Sequence, residues 1–417
     1  MSTDPTGTGG LEGAEKDLAD LAIRKGYLTR RQLAVALSTR AAAEPDTPLD
    51  VMLLSLGFLE EDQVEDLLRE IRPPAPPKPR PPARPRKPIV VPEGAEVRIV
   101  GPATLLEPVG RGPSGRVYRA FHGDRGEEVA VKEIPANDLN RPFLERFRER
   151  SRRLIGVEHP HIARLFEVLE RPEGLYLISE WVEGVTLQEH LRQVPMLEVS
   201  QAIRILRQVG EALQAAHRAG AVHGNLKAEN VLLGDDLEVK LTDFGLGRDD
   251  PEFLKDHADL AGSILHVLAP EQWRREAEPA TDLYACGVLW HFMLTGRFPF
   301  TGKGYQVTRQ NHELGLAAPP SEFRPDLPPA ADTLFRLLAN KDVKGRYPGT
   351  RAFLLDLRHL ELGFPLRGLP ATVRPRRPAA EAAPLRRKEA AAGGRTSSRR
   401  GRTPPRDKEG GASRRSR

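Results

Sequence analysis

Two features of this 417-residue chain have the residue types and spacing to hold phosphate. The first is Gly110-Arg111-Gly112-Pro113-Ser114-Gly115. Glycines let backbone N–H groups approach phosphate oxygens with no Cβ in the way. An ordinary glycine-rich turn has the same composition, so the flanking residues decide. A dinucleotide fold would open a helix after the run, whereas Arg116-Val117-Tyr118-Arg119-Ala120 reads as a strand. The glycines therefore sit at a hairpin tip. The second feature is Lys132, closing the strand Val129-Ala130-Val131-Lys132. Period-two alternation puts Ala130 and Lys132 on one face, where the ammonium can reach phosphates lying under the loop. Cys286 is the sole cysteine, and the histidines lack metal-ligand spacing, which excludes a disulfide framework and a multi-cysteine metal site.

The elements that must position these groups lie mainly between 98 and 364. That stretch holds 21 of the 23 aromatic residues, so the main packed core belongs there. Ala202, Leu206, Val209, Leu213 and Ala216 line one face of a helix that Gly220 ends. Trp290 and Phe292 read as core, and Cys286 as a packed small hydrophobe. No run of 18 apolar residues occurs, so no transmembrane segment is expected, and a cytoplasmic, reducing setting fits best.

The glycine run followed by Val-Ala-Val-Lys resembles the N-terminal lobe of protein kinases. The resemblance runs on to residue 364. His223-Gly224-Asn225-Leu226-Lys227-Ala228-Glu229-Asn230 stands at the catalytic loop, followed by Asp243-Phe244-Gly245, Ala269-Pro270-Glu271, Asp282 and Arg346. It implies an α+β, bilobal kinase fold with a small β-rich N-lobe and a large helical C-lobe. It also implies ATP and Mg2+ as cofactors. Gly110, Gly112, Gly115 and Lys132 would face the phosphates, and Val117, Ala130 and Leu232 would sandwich the adenine. Glu180 and Val182 would form the hinge after a small gatekeeper, Ser179. Asn230 and Asp243 would ligate Mg2+ through oxygen atoms. Lys227 matches a serine/threonine-type lysine near the γ-phosphate.

Several positions depart from the family pattern. Asn225 stands where an Asp orients the acceptor hydroxyl and takes its proton, and an amide cannot accept that proton. Gly224 replaces the neighbouring Arg that pairs with a phosphorylated activation loop. Residues 246–262 contain no Ser, Thr or Tyr, so both halves of that switch are missing together. An ungapped count puts Arg150 where the partner of Lys132 should be, with Glu149 one position away. Pro113 removes one loop N–H. Ser263-Ile264-Leu265-His266 replaces the docking segment.

Residues 14–71 repeat at an offset of 31. Gly26-Tyr27-Leu28, Gln32-Leu33 and Leu37 recur as Gly57-Phe58-Leu59, Gln63-Val64 and Leu68. Each copy reads as helix, glycine-stopped turn, helix, with Thr29 and Gln32 able to form a capping box. The copies are expected to pack their apolar faces together. This segment resembles the small all-α N-terminal domain of type II secretion ATPases, which occurs fused to bacterial kinases. Some relatives of that domain bind cyclic di-GMP through an Arg followed by Leu-Gly. Asp20-Leu21-Ala22 stands there instead, which favours a protein-interaction module.

The remaining segments are a polar start (1–13), a proline-rich basic linker (72–97) and a basic tail (365–417). Nine prolines within 72–88 predict an extended spacer. The tail lacks aromatics and is expected to be disordered. It carries 16 Lys/Arg against 4 Asp/Glu, and residues 72–88 carry 6 basic and no acidic residues. Since the whole chain is +5, the remainder stands at −13, so the folded parts are acidic. The tail could attract nucleic acid or an anionic surface electrostatically. The leading expectation is a serine/threonine protein kinase homologue that binds Mg-ATP and acts as a pseudokinase, a nucleotide-responsive scaffold or allosteric partner of another protein. An active kinase with an altered catalytic loop, and a nucleotide-independent interaction protein, are the alternatives.

Overall fold

The computed structural model describes residues 11, 13–43, 47–71, 98–112, 115–136, 141–245, 262–274 and 276–368. The expectations for residues 1–10, the linker at 72–97, Pro113, the segment 246–261 and the tail beyond 368 fall outside those residues.

Four helices open the chain: α1 (Gly13–Arg24), α2 (Arg30–Ala43), α3 (Leu49–Ser55) and α4 (Glu61–Ile71). Gly26 (φ +73°) and Gly57 (φ +67°) follow α1 and α3 at the repeated position. That left-handed backbone is one glycine adopts without a Cβ penalty. The Thr29 N–H donates to Gln32 Oε1 (2.9 Å) and the Gln32 N–H to Thr29 Oγ1 (3.2 Å), closing the capping box. In the second copy the Glu60 N–H donates to Gln63 Oε1 (2.8 Å). Helix α1 packs on α4 and α2 on α3, so each copy's first helix lies against the other's second. Leu33, Val64 and Leu68 are buried in the shared core, which also takes in Leu355 and Phe364 from far along the chain.

The N-lobe is a six-stranded antiparallel sheet in the order β1-β2-β3-β4-β6-β5. Its strands are β1 (Ile99–Val100), β2 (Ala103–Gly112), β3 (Gly115–His122), β4 (Glu127–Pro135), β5 (Leu165–Arg171) and β6 (Gly174–Glu180), with helix α5 (Arg141–Arg152) between β4 and β5. Val129 and Val131 enter one core with Ala120, Tyr176 and Ile178. Alternation turns Ala130 and Lys132 to the opposite face of β4.

The C-lobe holds α6 (Leu187–Gln193), α7 (Val199–Arg218), α8 (Pro279–Thr295), α9 (Tyr305–Leu314), α10 (Pro320–Phe323), α11 (Pro329–Leu338) and α12 (Thr350–Leu362). A small sheet of β7 (Val185–Thr186), β8 (Val231–Leu233) and β9 (Val239–Leu241) lies beside them. Ala202, Leu206, Val209, Leu213 and Ala216 all face the core from α7. Cys286, Trp290 and Phe292 are buried on α8. Helix α12 crosses α7 at Gly210, where a Cβ would lie 2.8 Å from a Leu354 methyl. Among the described residues no helix is long and apolar enough to cross a membrane.

Burial sets an acid limit on this lobe. His312 is enclosed by Tyr284 and Phe300, with Nδ1 2.7 Å from the Tyr284 hydroxyl, and burial pushes its pKa down to about 3. Burial also lowers His223 and His291. The unfolded chain takes up protons on these rings near pH ~6.5, while the folded chain resists until lower pH. Folding stability is therefore expected to fall as pH drops below ~6.5, by up to ~1.4 kcal/mol per pH unit for each such ring. Urea unfolding at about pH 7 and about pH 5 checks this, and His312→Phe should flatten the dependence.

Candidate active site

The glycine run lies where β2 turns into β3, with Gly110 opposite Val117 and Gly112 opposite Gly115. Gly115 (φ +129°) runs so close to β4 that a Cβ there would sit 1.9 Å from the Glu133 carbonyl oxygen. Glycine is obligatory at that crossing. Strand β4 then aligns Lys132 opposite Val117 on β3, and Ala130 opposite Ser179 on β6. Val117, Ala130 and Leu232 are each half-buried, Leu232 on β8 of the other lobe. Glu180 ends β6 and Val182 follows in the connection to β7.

Lys132 donates from Nζ to Asp243 Oδ2 at 2.5 Å, linking the two lobes through the ion pair. Asp243 holds a left-handed backbone (φ +63°), a conformation that costs a non-glycine residue about 1–3 kcal/mol and gathers at functional sites. Helix α5 turns Phe147 and Arg150 toward Gly245: the Cβ of a residue at 245 would lie 3.6 Å from side-chain atoms of both. Glu149 is exposed. The ion pair described for Lys132 is thus with Asp243, not with helix α5.

The segment 223–230 hangs from α8. Asp282 accepts the N–H groups of His223 (2.9 Å) and Gly224 (2.8 Å), and lies 2.7 Å from His217 Nε2 on α7. The His223 ring stacks on Phe244, centroids 4.2 Å apart. Asn230 donates from Nδ2 to the Asn225 carbonyl (2.7 Å). Lys227 immediately precedes the turn Ala228–Asn230 and is half-buried. The Asn225 side chain is buried, and its Oδ1 has no hydrogen-bond partner among the described residues. Leaving a buried acceptor unpaired costs about 1–3 kcal/mol. Gly224 (φ +63°) borders a cavity of about 120 Å³ lined by Arg150, Arg153, Gly245 and Gln272. Among the described residues, chain neighbours aside, no atom lies within 4 Å of the place its Cβ would take.

Residues 103–353 match the family model described as the protein kinase domain. The chain belongs to this family. It is a homologue of bacterial serine/threonine protein kinases. The chain is similar to the serine/threonine-protein kinase PknA of Mycobacterium tuberculosis, 33% identical over 258 residues, covering 60% of this chain and 59% of PknA. It is similar to Pkn1 of Myxococcus xanthus, 34% identical over 261 residues, covering 61% and 37%. PrkC of Bacillus subtilis is 28% identical over 263 residues, covering 63% and 41%. The chain spans less than two thirds of the length of each. The kinase domain of Mycobacterium tuberculosis PknI superposes with a TM-score of 0.53 at 22% identity, over 64% of this chain and 98% of that one. That likeness is one of fold, and the two lobes described above are the bilobal kinase fold.

The kinase domain's oxygen donors suit Mg2+. Asn230 spends its Nδ2 on the Asn225 carbonyl, which fixes the amide and leaves Oδ1 as the atom that could ligate a metal. Among the described residues no cluster of three or more His, Cys, Asp or Glu could hold a metal alone. Asn230 and Asp243 are the residues that could help hold Mg2+. Three supports escaped the sequence reading. His217 buttresses Asp282, and Gln272 donates from Nε2 to the Gly224 carbonyl (3.0 Å). Lys240 donates to Glu180 Oε2 (2.9 Å), tying β9 to the end of β6. The Glu-Gln pair after Ala269-Pro270 was the nearest signal for Gln272. Lys240 carried none, because a charged residue on a short strand reads as solvated.

Proposed function

We propose that this kinase homologue binds Mg-ATP, transfers phosphate weakly or not at all, and serves in cytoplasmic signalling as a nucleotide-responsive scaffold or allosteric partner. The reading is carried by Asn225, a buried amide at the sequence position where the family pattern has a carboxylate, in a chain whose Lys132 and Asp243 are paired. Lys132 would exchange its carboxylate partner for the α- and β-phosphates, and Asp243 and Asn230 would hold Mg2+. The metal supplies charge neutralisation on the phosphates. Val117, Ala130 and Leu232 would enclose the base, with the backbone of Glu180 and Val182 along its edge. Asn225 can still orient an acceptor hydroxyl but cannot carry away its proton. Loss of a general base lowers rates by roughly 10²–10⁴-fold. The basic tail adds long-range attraction for an anionic partner.

Thermal unfolding with and without Mg-ATP tests the nucleotide half. At about 100 times Kd a ligand stabilises by about 2.7 kcal/mol. That shift should appear in the natural chain and vanish in Lys132→Ala. Absence of any shift would overturn nucleotide binding. A second reading is an active kinase in which water or another carboxylate takes the proton. Retention of Lys227 and the firm anchoring of the loop by Asp282 favour it. Radiolabel transfer to a generic protein at rates usual for kinases, lost in Asp243→Ala, would establish it.

A further inference from the structure

The helical module at the start of the chain is docked on α12, and its interface contains one group whose charge changes near neutral pH. His359 is 1% exposed on α12. Its Nδ1 lies 2.9 Å from the Pro365 carbonyl oxygen. A carbonyl only accepts, so Nδ1 carries a proton. Its Nε2 lies 3.0 Å from Oδ2 of Asp50, a 3%-exposed residue on α3 of the module. That contact is a buried ion pair. A neutral ring with its proton on Nδ1 would turn the Nε2 lone pair toward a carboxylate, which repels it. Only the imidazolium suits both neighbours.

The other charged groups around this pair are arginines and one buried carboxylate, Asp356, whose pKa burial pushes up. Arg367 Nε lies 3.4 Å from the same Asp50 oxygen. Asp356, one turn back on α12, accepts the Tyr347 hydroxyl (2.7 Å) and the N–H groups of Arg367 (2.8 Å) and Gly368 (2.9 Å). The Phe364 ring covers His359 at 5.2 Å between centroids. Elsewhere in the interface Arg351 meets Glu61, Asp62 and Glu65 on α4. Arg358 pairs with Glu361 and donates to the Leu68 carbonyl (3.0 Å). Arginines do not titrate there.

We infer that His359 is a proton-controlled latch: its imidazolium pins Asp50 of the helical module to the C-lobe, and its deprotonation loosens the module. The proposal is independent of nucleotide binding. The sign follows from the pair. Asp50 holds the ring's proton more firmly in the folded chain than in the unfolded one, so its pKa is raised despite burial. The latch is complete below ~6.5, the ordinary histidine value, and opens as pH rises through the raised value. One proton is involved, so the opening equilibrium can change by at most about tenfold per pH unit.

Hydrogen exchange on the full chain between about pH 6 and pH 9, corrected for the intrinsic rate, tests this. Amides of α3, α4 and Leu355–Phe364 should lose protection relative to α8 as pH rises, approaching about tenfold per unit. His359→Gln and Asp50→Asn should begin less protected and show no such slope. The proposal is overturned if the natural chain shows a flat ratio between module and α8. It is equally overturned if either variant keeps the natural slope. The flat-ratio outcome needs no variant to fold.

Discussion

The Asn225→Asp variant will transfer phosphate to a generic protein acceptor about 10²–10⁴ times faster than the natural chain. The exchange replaces an amide by a carboxylate of almost the same shape. What holds the loop is untouched by it. Asp282 grips the N–H groups of His223 and Gly224, Gln272 holds the Gly224 carbonyl, and Asn230 bonds the backbone of position 225 rather than its side chain. The new carboxylate would lie at a buried acceptor position with no hydrogen bond of its own, which raises its proton affinity toward that of a working base. Incorporation of labelled γ-phosphate, with Asn225→Asp/Asp243→Ala as background, measures the gain. A variant no faster than the natural chain would show that the defect lies elsewhere, with Arg150 and Gly224 the first suspects.

Arg346→Ala should destabilise the C-lobe by about 3–5 kcal/mol. The Arg346 side chain is 0% exposed and Glu271 3%. They meet in two parallel bonds, Nη1 to Oε1 at 2.7 Å and Nη2 to Oε2 at 2.9 Å. Arg346 also donates to the carbonyls of Asn340 (2.7 Å) and Ala280 (2.9 Å), and Thr281 donates to Glu271 (2.9 Å). Burial alone would drive the Glu271 carboxyl up, but the guanidinium overrides it and the net direction is down. Removing the cation strands a carboxylate in a dry site. Chemical denaturation reads the loss. The double variant Glu271→Gln/Arg346→Met should recover part of it, since no unpaired charge is left behind. A single variant within 1 kcal/mol of the natural chain would contradict this account.

The parts legible in the sequence were those governed by local rules. Alternation in Val129–Lys132 fixed which residues face the cleft, and the 3.6-residue period of α7 fixed its buried stripe. Gly26 and Gly57 marked two turns because left-handed backbone favours one residue type. The repeat also announced two copies that need each other. Long-range pairing was not legible. Lys132 and Asp243 were both singled out, yet their direct bond joins positions 111 residues apart and depends on how the lobes close. The docking of the module on α12 left no local mark at all. Arg351 meets Asp62 and Glu65, and Leu355 and Phe364 join the module's core, across almost three hundred residues of chain. His359 looked like one histidine among eleven.

The shared core of the first four helices has a consequence for synthesis. Leu355 and Phe364 complete a hydrophobic cluster that otherwise begins at Leu11. A ribosome releases the module nearly three hundred residues before it releases the side chains that finish it. Until then the nascent chain must carry an open apolar face, a feature that invites chaperones and aggregation. A chain broken before Leu355 would keep that face bare.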